Sequence, residues 1–92
     1  MAIFGWAAKD PSDIVDYEAD WSDLLRTSET IVTSAFTMPT GLNMASEANT
    51  TTTSTVWIGA GSTVGSYEVP CTITTNQGRT LQRSWSLMVA QL

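Results

Sequence analysis

Apolar and polar residues alternate along most of this chain. Between residues 13 and 21, Val15, Tyr17, Ala19 and Trp21 fall on one face, while Ile14, Asp16, Glu18 and Asp20 fall on the other. Strict alternation marks a strand with one buried face, because successive side chains leave opposite sides of the pleat. The first set reads as core, the second as a solvent or partner face. A second strand is expected over residues 29–38. There Phe36 and Met38 share a face but Ile31 has the opposite parity, so a bulge near Thr33-Ser34 is needed to turn Ile31 inward. Residues 42–48 form a third, weaker strand with Leu42 and Met44 inward. Residues 53–58 form a fourth, with Val56 and Ile58 inward and Thr55 and Trp57 outward. In the fifth, residues 66–75, Tyr67, Val69, Cys71 and Ile73 alternate cleanly. Pro70 has outward parity there and implies an edge position or a local break in pairing. The last strand, residues 80–89, points Leu81, Trp85, Leu87 and Val89 inward. Arg83 shares their parity and is placed either to pair with Asp16 or Asp20 or to snorkel with no fixed partner.

Turn chemistry separates these runs. Pro39-Thr40-Gly41 ends the second strand, and Asn76-Gln77-Gly78-Arg79 makes a hairpin turn. Residues 22–26 are expected to form one helical turn, capped by Ser22 or Asp23. The glycine-rich stretch 59–65 superficially resembles a phosphate loop. A strand rather than a helix follows it and it holds no lysine, so it reads as a flexible connection between strands. Six or seven short strands at this spacing imply two antiparallel sheets packed as an immunoglobulin-like β-sandwich. Residues 13–92 form the sandwich, and residues 1–12 form an N-terminal arm that carries Phe4 and Trp6. Tyr67 lies either at the tyrosine-corner position of such folds or in an ordinary core slot.

Composition narrows the function. With 92 residues the chain has room for one core but not for a deep substrate cavity as well. It carries nine acids against four bases, with seven of the acids in the first 30 residues. That balance disfavours nucleic acid and anionic membrane surfaces, both of which call for lysine and arginine. No apolar run approaches the roughly 20 residues of a membrane span, and the N-terminus lacks the basic and apolar regions of a signal peptide. There is no histidine and a single cysteine. The commonest general base, the usual catalytic triads and an internal disulfide are therefore missing. Cys71, between Val69 and Ile73, reads as a small core residue. No catalytic, cofactor or metal site is expected, and the chain reads as a structural or binding module.

The acidic row Asp16, Glu18 and Asp20 is the main candidate for function. An extended strand spaces alternate carboxylates roughly 7 Å apart, which makes a poor calcium cage. The row reads as a solvated edge whose like charges discourage aggregation, or as a docking face for a basic partner. Phe4, Trp6 and Trp57 are aromatic groups without an evident core slot and so are candidate interface anchors. The same exposed aromatics admit a second reading, a carbohydrate-binding or adhesion module. The match of Asn49-Thr50-Thr51 to a glycosylation sequon has meaning only in a eukaryotic secretory route.

Several short motifs occur together in order. Lys9-Asp10-Pro11 is followed by Asp16-Tyr17 and Asp20-Trp21, then by Glu29-Thr30-Ile31 and Phe36-Thr37-Met38-Pro39-Thr40-Gly41-Leu42. Thr55-Val56-Trp57-Ile58-Gly59, Gly65-Ser66-Tyr67-Glu68-Val69 and Gly78-Arg79-Thr80, with Arg83-Ser84-Trp85, complete the series. In these features the chain resembles small immunoglobulin-like virion proteins of tailed bacteriophages, the fibre–tail adaptors and accessory tail or neck proteins. The resemblance covers about residues 9–89. It implies a non-enzymatic virion component, assembled in multiple copies in the bacterial host cytoplasm. Its partners would be other tail, neck or fibre subunits, with no cofactor.

Overall fold

A computed structural model describes the backbone from residue 3, and the side chains from residue 5, through Leu92. Seven strands follow in order: β1 (Ile3–Gly5), β2 (Val15–Asp20), β3 (Ile31–Phe36), β4 (Met44–Asn49), β5 (Thr53–Ile58), β6 (Gly65–Thr75) and β7 (Thr80–Val89). They form a four-stranded sheet ordered β1-β7-β6-β3 and a three-stranded sheet ordered β2-β5-β4. All pairings are antiparallel except that of β1 with β7, which is parallel. The grouping of β2, β5 and β4 against β3, β6 and β7 follows the B-E-D and C-F-G strands of an immunoglobulin-like sandwich.

The alternation places the core. Tyr17, Ala19 and Trp21 of the β2 segment meet Val56 and Ile58 of β5, Val69, Cys71 and Ile73 of β6, and Leu87 and Val89 of β7. Full burial of each large apolar side chain contributes about 2 kcal/mol. A polar relay crosses this core. Trp21 Nε1 donates to Ser54 Oγ at 3.1 Å, and Ser34 Oγ donates to the same oxygen at 2.7 Å. Cys71 Sγ lies 3.7 Å from Ser34 Oγ, and burial pushes its thiol pKa up. Cys71 is thus an inert core residue, as its parity implied.

The tyrosine corner is present. Tyr67 Oη donates to the carbonyl of Thr63 at 2.6 Å, near the start of β6. Gly41, at φ 105°, makes room for it: a Cβ there would lie 2.6 Å from Tyr67 Oη. Both the conformation and the space therefore call for glycine.

Several local expectations change. The bulge in β3 falls between Ile31 and Thr33, slightly earlier than expected. It buries Ile31 and leaves Val32 exposed. Leu42 is buried but lies before β4, and a register irregularity between Met44 and Ser46 leaves Met44 exposed. Pro70 is not on an edge strand, since β6 runs between β7 and β3. Its carbonyl accepts from Thr37 N at 2.9 Å, just past the last β3 pair, so its missing N–H faces the side where that pairing ends. The loop 59–65 is tied down rather than free. Gly59 N donates to Asn43 O, Gly61 N to Pro11 O and Thr63 N to Gly41 O, at 2.6, 2.9 and 2.8 Å. After β2 the chain makes a single turn, but Asp20 is the cap, accepting from Ser22 N at 2.9 Å.

Two polar clusters fasten loops to the sandwich. Glu29, 4 % exposed, accepts from Arg79 Nε at 2.8 Å and Nη2 at 2.5 Å, from Thr75 Oγ1 at 2.6 Å and from Arg26 N at 2.8 Å. Arg79 Nη2 also donates to Leu24 O at 2.9 Å. In the second cluster Lys9, 1 % exposed, donates from Nζ to Asp10 O at 2.9 Å, while Asp10 accepts from Ser12 N and Leu92 N. The Lys9-Asp10-Pro11 motif therefore clips the first segment, the last residues and the 59–65 loop together.

Candidate partner-binding surface

The arm does not project from the fold over its described part. β1 pairs along β7, Trp6 N donates to Ser86 O at 2.9 Å, and Lys9 N donates to Met88 O at 2.9 Å. This parallel pairing brings Trp6 to the open side of the sandwich, where β2 ends the other sheet. The half-buried indole stacks on Tyr17 with ring centroids 4.9 Å apart and on Trp85 at 5.8 Å. It also meets Phe36 at 6.1 Å. Stacked aromatic pairs of this kind add about 0.5–1.5 kcal/mol each beyond their buried area.

Backbone parity explains the indole's polar contact. Trp21 N donates to Thr52 O of the neighbouring β5 side, so the peptide groups of Asp16, Glu18 and Asp20 face away from β5. The carbonyl of Glu18 accepts from Trp6 Nε1 at 3.3 Å. Trp6 thus occupies part of the free β2 edge, which limits addition of another strand there.

Beside this contact lies a cleft of about 370 Å³, lined by Gly5, Trp6, Glu18, Asp20, Trp21, Asp23, Leu24, Arg83 and Trp85. Behind it lie two core tryptophans: Trp21 and Trp85, 0 % and 7 % exposed, meet edge-on at 5.7 Å. Its lining residues include the charged Glu18, Asp20, Asp23 and Arg83. Among the described residues none of these four groups is in an ion pair, because the one ion pair joins Arg79 to Glu29. Arg83 does not pair with Asp16 or Asp20, and its Nη1 donates to Gln82 O at 2.7 Å. The hydrogen bond from Ser22 N holds the Asp20 carboxyl below the usual carboxylate range.

Asp16 lies further along β2, opposite Trp57 in the β2–β5 register. Trp57 is 41 % exposed on the outer face of the three-stranded sheet, with Ser46 on its other side. The anticipated contact residues therefore gather around β2 in two groups. Asp16 and Trp57 stand on the sheet face, Trp6 forms the cleft wall, and Glu18 and Asp20 serve both. The Phe4 side chain lies outside the described residues. Asp23, Leu24, Trp21 and Trp85 were not anticipated as cleft residues. The available signal was the spacing of Asp20 and Asp23, which sets two carboxylates around the end of β2. Among the described residues no three His, Cys, Asp or Glu groups converge as metal ligands.

A family model described as podophage GP4 fiber-tail adaptor protein gp77 matches residues 9–88. No curated protein matches the chain. The matched stretch starts at buried Lys9 and runs through β2 to the penultimate residue of β7, so it takes in the Glu29 cluster, the Lys9 clip except Leu92, and the acidic row. The sandwich and the family match over most of its length agree: the chain belongs to the podophage GP4 fiber-tail adaptor protein gp77 family and is a phage fibre–tail adaptor structural protein.

Proposed function

We propose that this chain is a non-enzymatic connector that joins tail or neck components of the virion to fibres or decorating proteins. The family match over residues 9–88 carries this reading. The fold supplies a rigid frame, and the surface around β2 supplies the contact: Trp6, Asp16, Glu18, Asp20 and Trp57, with Phe4 as a further anchor. Multiple copies assemble in the host cytoplasm, and a ring of them raises the avidity of individually weak contacts through effective concentration.

A phage with the gene interrupted tests this directly. Tailed particles without fibres are expected, and the purified wild-type virion should contain the protein in a fixed ratio to tail subunits. Fully fibred, infectious particles from the interrupted phage would sink the proposal.

A further inference from the structure

We propose that the outer edge of β4 takes an added β-strand from a partner subunit, one that carries a lysine or arginine opposite Glu47. β4 ends its sheet, and all six of its residues are exposed. Thr50 N donates to Thr53 O on the β5 side at 2.9 Å. Backbone groups alternate in direction along a strand, so those of Ser46 and Ala48 also face β5, while those of Glu47 and Asn49 face away. Among the described residues no backbone group bonds to Glu47 or Asn49 on that side. The other sheet edges are shorter or guarded. β1 has three residues, and Trp6 holds the Glu18 carbonyl on β2. β3 gives Ile31 N to Thr51 O at 2.9 Å and Phe36 N to Glu47 Oε1 at 3.2 Å. β4 carries no lysine, arginine or proline of the kind that blunts an open edge.

Glu47 selects the occupant. Ser46 stands beside the outward Trp57, so Glu47 points to the inner side, where Oε1 accepts from Phe36 N. Among the described residues it has no ion pair. A strand laid along β4 covers this carboxylate, and a covered charge calls for a counter-charge. A second copy of β4 does not supply one. The antiparallel register that overlaps the whole strand sets Glu47 directly opposite Glu47, and facing like charges destabilise a strand pair. A partner strand with a lysine or arginine at that inward position brings the cation to Oε2, while Oε1 stays with Phe36 N. Main-chain bonds to Glu47 and Asn49 give the attachment, and the opposite charge gives the choice of partner.

This inference deepens the connector reading and rests on it only for the source of the strand. Its test uses the purified chain and a capped heptapeptide, Thr-Val-Ser-Lys-Ser-Val-Thr, whose lysine and valines share one face. With a Kd on the order of 1 mM, about 5 mM peptide should slow water exchange of the Glu47 and Asn49 amide protons about sixfold. Ser46 and Ala48, already bonded to β5, should keep their rates. The same peptide with glutamate at its centre should give at most about half of that slowing. On Glu47→Gln, which still accepts from Phe36 N, the two peptides should act alike. Asn49→Pro removes one outward N–H and should abolish the slowing at Glu47, with the indole and methyl signals reporting an intact fold. No slowing at Glu47, equal slowing by both peptides on the wild type, or protection that rises with protein concentration alone would each overturn the strand site. The connector reading is tested separately in particles. Fibreless particles from the interrupted gene, with an edge that ignores the lysine peptide, remove the strand site and keep the connector.

Discussion

Two sets of carboxylates sit in opposite situations on this small sandwich. Glu29 is buried, and Arg79, Thr75 and the Arg26 amide surround it. Glu18, Asp20 and Asp23 line an open cleft, and among the described residues no cation pairs with them. A buried charge is tolerable only when its hydrogen-bonding capacity is met, and removing one partner then leaves an uncompensated charge. An exposed carboxylate is hydrated whether or not it is paired, so its neighbours have little influence on stability. The Glu29 cluster accordingly holds the fold, whereas the exposed acids at the cleft contribute little to it. The outer faces of the sheets repeat the contrast. β2 sets Asp16, Glu18 and Asp20 on one, while on the other, among the described residues of β3, β6 and β7, Glu68 stands among Thr72, Thr74 and Gln82.

The sharpest way to break this contrast is Arg79→Ala. It strands Glu29 without its counter-ion, and the melting temperature should fall by on the order of 10 °C. An unchanged melting temperature would show that the cluster is no more structural than the cleft. Next in size is Trp6→Ala. It removes the stacking on Tyr17 and Trp85 and should lower the melting temperature by about 5–8 °C while enlarging the cleft. Calorimetry on the full chain checks both.

Acid titration sharpens the contrast further. Hydrogen bonding from Arg79 holds the Glu29 carboxyl well below its ordinary value of 4.5, and the Arg26 amide and Thr75 hydroxyl add to this against the opposing effect of burial. A depressed folded-state pKa means that the stabilisation is present above the ordinary value and is lost as pH falls through the folded-state pKa. The wild type should lose several more degrees between pH 6 and pH 3 than Glu29→Gln does. Parallel profiles for the two proteins would contradict this. Smallest of all is the effect expected for Glu18→Gln combined with Asp23→Asn. Its melting temperature should stay within about 2 °C of the wild type, because surface charges contribute little. The same variant should fail to retain fibres in assembled particles. A large loss of stability would move these acids from the partner surface into the frame.

Much of the frame could be read along the chain. The final strand has the bounds that the pattern implied, and β2 keeps the predicted inward set Val15, Tyr17, Ala19 and Trp21. Cys71 is buried as its neighbours required. The misreadings cluster where one strand's fate hangs on another. Met44 looked inward by parity until the irregularity opposite β5 turned it out. Arg83 looked suited to an acid on β2, yet Arg79 found Glu29 instead. Lys9 belongs to the stretch expected to form an N-terminal arm and is buried at the clip.

What the sequence determined by itself was the all-β class, the position and phase of most strands, the absence of histidine chemistry and the concentration of acids near β2. These are local properties, since alternation needs only neighbouring residues and composition needs no geometry. Only the tertiary structure decided that Glu29 meets Arg79 fifty positions away, that Trp6 folds back onto Tyr17 and Trp85, and that Glu18, Asp20 and Asp23 line one cleft beside it. Those contacts depend on which strands become neighbours and in what register. Sheet pairing settles this through long-range burial, which no stretch of alternating residues encodes.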